Sequence, residues 1–396
     1  MKKRYIILPF LLGVIVTLSV SLFLVSQDHL QLVSDIKYDR LVTLENKYQK
    51  AEKLQEEIME KFYLDITEEE LMIGMYRGLF EATDDKYSRY FTPDELEEYN
   101  DSTNGNYVGI GILSDVSEGD IHITRVFPNS PAEKAGILAG DYVVEVDGFT
   151  IEEHGYEHLI DVMLGEEDTD IEVVIVRDGE TIIFHLQRGT VEIPFVSSSI
   201  IDDIGYIHIY QFGTDVSDEF DTHLQALKDQ NIRGLIIDLR DNPGGLVSEA
   251  TAIADELMGS GTIIYTLDNE DNKRTYKSDS DKLDIPFVFL ANESSASASE
   301  ILLGAIKDTQ SAPIVGVTTF GKGIVQGITT LKDGSGYKIT YSQYFTPSGG
   351  VIHKVGVTPD YIVEYEGSIN SEEPNELEDL QLKKGLEILD QLILSN

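Results

Sequence analysis

Gly234-Leu235-Ile236-Ile237-Asp238-Leu239, running into Arg240-Asp241-Asn242-Pro243-Gly244-Gly245, is the stretch that decides the fold. A short, nearly continuous apolar run suits a strand covered on both faces. The polar residues and the Pro-Gly-Gly that follow must turn, and Glu249–Met258 resumes with helical spacing. The same alternation recurs on both sides. Ile204–Tyr210 reads as a strand before a helix over Val216–Asp229, and Ile285–Leu290 as a strand before a helix over Ser299–Asp308. Ile314–Val317 adds a strand, and Gly327–Leu331 with Tyr337–Phe345 a curled pair. This pattern predicts an α/β core of βαβ units on a largely parallel sheet. The Asn242–Gly245 turn then falls at the carboxyl end of its strand, where open sheets of this kind bind ligands.

Upstream the period changes. Tyr107–Leu113, Ile121–Val126, Ile171–Arg177 and Thr181–Arg188 read as short strands, the last two joined at Asp178-Gly179. Before them, Leu41, Leu44, Tyr48, Ala51, Ile58 and Phe62 recur at helical spacing over residues 37–62. Thr67 and Glu70 form a capping box opening a second helix to about Glu81, and a short helix starts near Pro93. The tail Glu376–Leu394 is a charged amphipathic helix. For 396 residues, more than one core is expected. The divisions fall at 1–27, 28–103, 104–190, 191–365 and 366–396.

Composition excludes several functions. Thirty Lys and Arg face 71 Asp and Glu, a formal charge of −41, which repels a phosphate backbone and argues against nucleic acid. Cysteine is absent, so there is no disulfide, thiolate metal site or Cys nucleophile. The eight histidines lack metal-ligand spacing; His154 and His158 are four apart but have no third ligand nearby. Asp268–Asn272 is followed by Lys273 where a calcium loop needs glycine. No metal and no cofactor is expected. Lys2, Lys3 and Arg4 precede an apolar run over Tyr5–Val25 long enough to cross a bilayer. The flank predicts a single-pass anchor with the N-terminus in the cytoplasm and the remainder outside. A cleavable signal is the rival, though no clear A-x-A site follows Ser26.

Three segments carry candidate chemistry. In Asn292-Glu293-Ser294-Ser295-Ala296-Ser297-Ala298-Ser299-Glu300-Ile301 a strand ends, small residues turn and a helix begins. A serine there lies among free backbone N–H groups at the positive end of a helix dipole. In Thr318-Thr319-Phe320-Gly321-Lys322-Gly323-Ile324-Val325-Gln326 a lysine stands between two glycines; burial would lower its pKa until it could take a serine proton. Asn242-Pro243-Gly244-Gly245 can aim amides into the same place. Each has a plainer reading by itself: helix-capping serines, a surface lysine, a plain turn.

Together with Asp85-Lys86-Tyr87-Ser88 and Gly356-Val357-Thr358-Pro359-Asp360, these segments resemble the C-terminal processing (tail-specific) serine proteases over about Leu71–Asp360. The resemblance implies a crotonase/Clp-like core. It implies Ser297 as nucleophile, Lys322 as general base and Gln326 as the residue orienting the lysine. Amides of Ala298 and of Gly244 or Gly245 would form the oxyanion hole. Residues 106–190 look like a PDZ domain, with Gly109-Ile110-Gly111-Ile112 as its carboxylate-binding loop. Leu164-Gly165-Glu166-Glu167 departs from the family, many members of which have an Arg-Gly pair there. The implied protein is a bacterial, membrane-anchored, extracytoplasmic endopeptidase cutting near the free C-termini of protein or peptide substrates. A homodimer through the terminal helices is also expected. A catalytically silent PDZ scaffold and a crotonase-like acyl-transfer enzyme are the alternatives.

Overall fold

The computed structural model describes residues 4–26, 35–117, 120–177, 179–364, 374 and 379–395. The chain forms two compact units, Met1–Leu79 and Phe80–Asn396.

The first unit is helical. Arg4–Ser26 forms the expected apolar helix, charge-free after Arg4. Among the described residues, however, no helix is long and apolar enough to cross a membrane. The expected membrane-spanning helix is therefore not found among the described residues, and Lys2 and Lys3 lie outside them. A second helix spans Asp35–Lys61 and leaves Leu41, Leu44 and Tyr48 exposed. The capping box forms as expected: Thr67 N–H donates to Glu70 Oε2 at 2.7 Å, and Glu70 N–H to Thr67 Oγ1 at 3.2 Å.

In the second unit an antiparallel block has the strand order Ile112–Ser117, Asp120–Val126, Tyr142–Val146, Asp170–Arg177, Glu180–Gln187. Its core joins Ile110, Ile121, Ile123, Val143 and Val173 to Leu159 and Met163 of the helix Tyr156–Met163. The single strand expected over Tyr107–Leu113 is divided. Asn106–Gly109 pairs with Gly189–Glu192 at the neck of the block, and Ile112 starts a separate strand. Gly111 makes the break at φ 88°, where a Cβ would sit 2.1 Å from Ser130 Cβ. Asp178, half of the expected hairpin turn, is outside the described residues.

The α/β core has a six-stranded sheet in the order Val196–Ile201, Ile204–Ile209, Gly234–Asp238, Phe287–Ala291, Ile314–Gly316, Tyr361–Ile362. Only the first pair is antiparallel. Helices Val216–Lys228, Val247–Leu257 and Ala298–Thr309 cover one face, sharing a core with Ile207, Leu235, Ile237 and Phe289. The helix Leu380–Ser395 covers the other, placing Leu382, Leu386 and Leu389 on Tyr206, Ile236 and Leu290. The face of this helix that carries Leu382, Leu386 and Leu389 is therefore covered within the chain.

A second sheet carries Arg89–Phe91, Gly336–Phe345, Gly261–Asp268 and Lys273–Ser278, with Ile324–Thr330 also paired to Gly336–Phe345. The Asp268–Asn272 stretch is the hairpin loop of this sheet, where Asp268 Oδ1 accepts the N–H groups of Glu270 and Asn272, each at 2.9 Å. The buried Arg240 side chain pairs with Asp238 at 2.5 Å and with Asp379 at 2.7 Å. Asp379 Oδ1 in turn accepts the N–H groups of Gln381 and Leu382, capping the last helix. This ties the C-terminal helix to the loop that carries Gly244 and Gly245.

Candidate active site

The parallel strands Gly234–Asp238 and Phe287–Ala291 deliver two loops that lie against each other. Backbone and small polar groups stitch the loops together. Asn242 O accepts the N–H of Ala296 at 2.9 Å and the Ser299 hydroxyl at 3.1 Å, and the Ser295 hydroxyl donates to Leu239 O at 2.7 Å. The second loop ends at Ser297, which precedes the helix Ala298–Thr309 with φ 55° and ψ −110°. That conformation costs a non-glycine residue about 1–3 kcal/mol and persists only where its surroundings fix it.

Glu300 does much of the fixing. Its side chain is fully buried and its carboxylate accepts four hydrogen bonds. Oε2 takes the N–H of Ser297 at 2.9 Å and of Lys322 at 2.7 Å; Oε1 takes the Thr319 hydroxyl at 2.6 Å and the N–H of Gly321 at 2.7 Å. One carboxylate thus joins the serine and lysine segments, 25 residues apart. Tyr344, also fully buried, closes the other side: its hydroxyl meets the carbonyl oxygens of Ser297 and Lys322. The residues 352–357 brace the lysine loop, with Lys354 N–H donating to Gly321 O at 2.7 Å.

Lys322 is partly buried, and its ammonium lies 4.7 Å from the centroid of the Tyr87 ring. Burial lowers its pKa from the ordinary lysine value; Asp85 and Glu300 oppose the shift and Lys86 adds to it. Among the described residues no hydrogen bond joins Lys322 Nζ to the Ser297 hydroxyl or to Gln326. The Gln326 amide donates instead to Thr340 Oγ1 at 3.2 Å, beside a register shift after Val325.

Gly244 and Gly245 hold φ of 100° and 145°, and a Cβ on Gly244 would lie 2.6 Å from Ser297 Cβ. Side chains are excluded there by strain and by contact. The Gly244 N–H is already committed to Asn242 Oδ1 at 2.9 Å. The N–H groups of Gly245 and Ala298 have no such partner among the described residues, so these two are the available donors to an oxyanion.

The model of peptidase family S41 matches residues 203–363, and that of the PDZ domain residues 122–177. The chain is 30% identical over 326 residues to the carboxy-terminal processing protease CtpA of Bacillus subtilis, covering 81% of this chain and 70% of that protein. The chain belongs to the carboxy-terminal processing proteases of peptidase family S41. It is 33% identical to a "Probable CtpA-like serine protease" of Staphylococcus saprophyticus, over 80% of this chain and 65% of that one. It spans 65%, 58% and 64% of the lengths of three such staphylococcal relatives. Among solved structures it is similar to a photosystem II D1 C-terminal processing protease, at 30% identity and a TM-score of 0.51, covering 84% of this chain and 89% of that one.

The PDZ loop of this S41 chain is built with its carbonyls turned inward: Ala132 N–H donates to Ile110 O at 2.7 Å and Phe127 N–H to Gly111 O at 3.0 Å. Ile110 itself is buried in the PDZ core, whereas Ile112 is only partly covered. The Tyr107 ring packs over Gly109, where a Cβ would be 2.9 Å from its Cε2. Burial pushes the Tyr107 phenol up to about 12, opposed by the amides of Ile112 and Gly111. The phenol therefore shares space with the amides expected to meet a carboxylate.

Sequence reasoning passed over four residues of this S41 site. Glu300 and Tyr344 looked like helix and strand positions, and Tyr87 stood in the Asp85–Ser88 motif without a role of its own. His353 has its backbone N 2.4 Å from where a Gly323 Cβ would be, and its Nδ1 is buried without a hydrogen-bond partner among the described residues. The Glu300 signal was present as a glutamate three residues after the elbow serine, the spacing of a capping box. Tyr344 and His353 had no local signal.

Proposed function

We propose that this protein is a serine endopeptidase that cuts protein substrates near their C-termini, with Ser297 as nucleophile and Lys322 as general base. The observation that carries this reading is the Glu300 carboxylate holding the N–H groups of both residues at 2.9 and 2.7 Å. In this reading Lys322 turns from the Tyr87 ring to Ser297 and, neutral, takes the hydroxyl proton as Oγ attacks the scissile carbonyl carbon. The N–H groups of Gly245 and Ala298 receive the developing oxyanion. The ammonium then protonates the departing amine, and water, deprotonated by Lys322, releases the acyl group from Ser297. Gln326 would join the lysine only after a local rearrangement near Thr340.

Substrate tails are held, in the same proposal, by the Gly109-Ile110-Gly111-Ile112 loop, whose amides suit a free carboxylate. Its departure from relatives at Leu164–Glu167 leaves recruitment as the simpler role for this domain. The apolar helix Arg4–Ser26 and its basic flank favour anchoring at the bacterial cell membrane with the peptidase outside. Intact chain in the membrane fraction is expected; a mature N-terminus near Ser26 would replace the anchor with a released protein. The enzyme itself is tested with Ser297→Ala and Lys322→Ala, each expected to abolish cleavage of a tailed peptide without lowering Tm by more than a few degrees. Full activity in Lys322→Ala would remove the proposed base. Ser297-independent binding of tails without cleavage would favour the scaffold.

A further inference from the structure

The surroundings of Lys322 are cationic in a chain whose formal charge is −41. The ammoniums of Lys86 and Lys322 lie 4.9 and 4.7 Å from the same Tyr87 ring centroid, so they are within about 10 Å of each other. Lys86 is also 5.7 Å from the ring of Phe320, which is 53% exposed beside the lysine loop. Arg89 and Lys338 stand directly opposite one another in an antiparallel pair. Like charges in that position destabilise a sheet. Lys338 is half-buried; burial lowers its pKa, and the charges of Lys322 and Arg89 lower it further against the pull of Asp85.

None of Lys86, Arg89, Lys322 and Lys338 is ion-paired among the described residues. The acids acting on Lys322 are Asp85 and Glu300. Both are already committed. Asp85 accepts the Tyr87 N–H at 3.1 Å and the Ser88 hydroxyl at 2.6 Å, and Glu300 holds its four donors. Four cations without an ion-pair partner among the described residues, Lys86 and Arg89 exposed and Lys322 and Lys338 partly buried, outnumber the two acids beside them and have one evident complement, an anion.

We infer that Lys86, Arg89 and Lys338 form a subsite for a substrate carboxylate within a few residues of the scissile bond. The inference rests on the Ser297 reading and specifies its substrate class. A carboxylate could come from an Asp or Glu side chain or from the free end of the chain, and both would meet the same ammonium and guanidinium groups. An anionic group is repelled by most of this protein, so the local cluster also guides it to the site.

The test uses the full chain and internally quenched peptides with amidated C-termini, which removes a free tail from the PDZ loop. One Glu or one Gln is walked through the four positions on either side of the cut. At one or two positions Glu should raise kcat/KM about tenfold over Gln, equivalent to about 1.4 kcal/mol. The gain should shrink several-fold near 1 M salt, where the Debye length falls to about 3 Å. Lys86→Gln and Lys338→Gln should each bring the Glu-to-Gln ratio toward one, whatever their absolute rates, and Lys86→Arg should retain it. A Gln peptide with a free C-terminus placed close to the cut distinguishes the sources: a gain abolished by Lys86→Gln belongs to this cluster, a gain that survives to the PDZ loop. Equal rates for Glu and Gln at every position, or a ratio indifferent to both lysine variants, would overturn the inference. If no peptide is cut, the peptidase reading fails separately. Fluorescence anisotropy of the Glu and Gln peptides on Ser297→Ala then decides the subsite: tighter binding of Glu, lost in Lys86→Gln, supports it, and equal binding rejects it.

Discussion

The buried hydroxyl of Tyr344 lies 2.8 Å from the carbonyl oxygen of Ser297. The same hydroxyl reaches the carbonyl of Lys322, so one phenol joins the serine and lysine segments. Burial raises the Tyr344 pKa well above the ordinary tyrosine value, with the charge of Glu300 adding to it, so the group stays a donor.

Tyr344→Phe should therefore leave two inward carbonyls without their donor. A buried acceptor left unsatisfied costs about 1–3 kcal/mol. Urea unfolding should show a loss in that range, and kcat/KM should fall at least tenfold as Ser297 and Lys322 lose registration. Wild-type stability together with wild-type kcat/KM would mean the phenol positions nothing.

Glu300→Gln should be more damaging. The carboxylate receives only donors, and an amide replaces one acceptor oxygen with an NH2 group that faces N–H groups. The expected result is at least a hundredfold loss of kcat/KM with a lowered Tm. Glu300→Asp, which keeps the charge but shortens the reach, should recover part of the stability. Circular dichroism melts beside peptide kinetics separate the two effects.

The pH dependence of cleavage follows from Lys322. Its pKa is lowered chiefly by burial, and a lysine proposed as general base acts as the neutral amine. The rate should rise with pH along a single limb whose midpoint lies below the ordinary lysine value of 10.5. Tyr87→Leu removes a ring that favours the charged ammonium, so the limb should move to lower pH. A shift to higher pH would contradict the stacked geometry.

Away from the site, Glu256 is pushed up to about 7, first by burial and then by Asp221. The folded state thus holds a proton that the unfolded chain releases near 4.5. The contribution is full below that value and is lost as pH rises through about 7. Glu256→Gln, permanently neutral, should raise Tm by a few degrees at pH 8 and change it little at pH 4. A gain at pH 4 equal to that at pH 8 would exclude this coupling.

How much of this was legible in the sequence depended on range. The apolar run Gly234–Leu239 and its Pro-Gly-Gly turn were readable because a strand buried on both faces leaves a contiguous signature. The elbow at Ser297 and the capping box at Thr67 were readable because their partners lie within a turn or two. The hairpin Gly261–Asp268 with Lys273–Ser278 was missed, since its second strand exposes most of its side chains and shows little apolar alternation. That Leu382, Leu386 and Leu389 of the C-terminal helix pack on the parallel sheet was not legible, because amphipathicity states that a face is covered, not by what.

The sequence by itself determined most element types, through local spacing, and its resemblance to a known protease family singled out Ser297 and Lys322. Only the tertiary structure decided that Glu300 and Tyr344 hold Ser297 and Lys322 together, that Asn242 occupies the Gly244 amide, and that the Lys322 ammonium rests on Tyr87. Those are contacts between segments up to 235 residues apart, made where strand ends converge, and the pairing of a buried donor with its acceptor is fixed by packing rather than by anything adjacent in the chain.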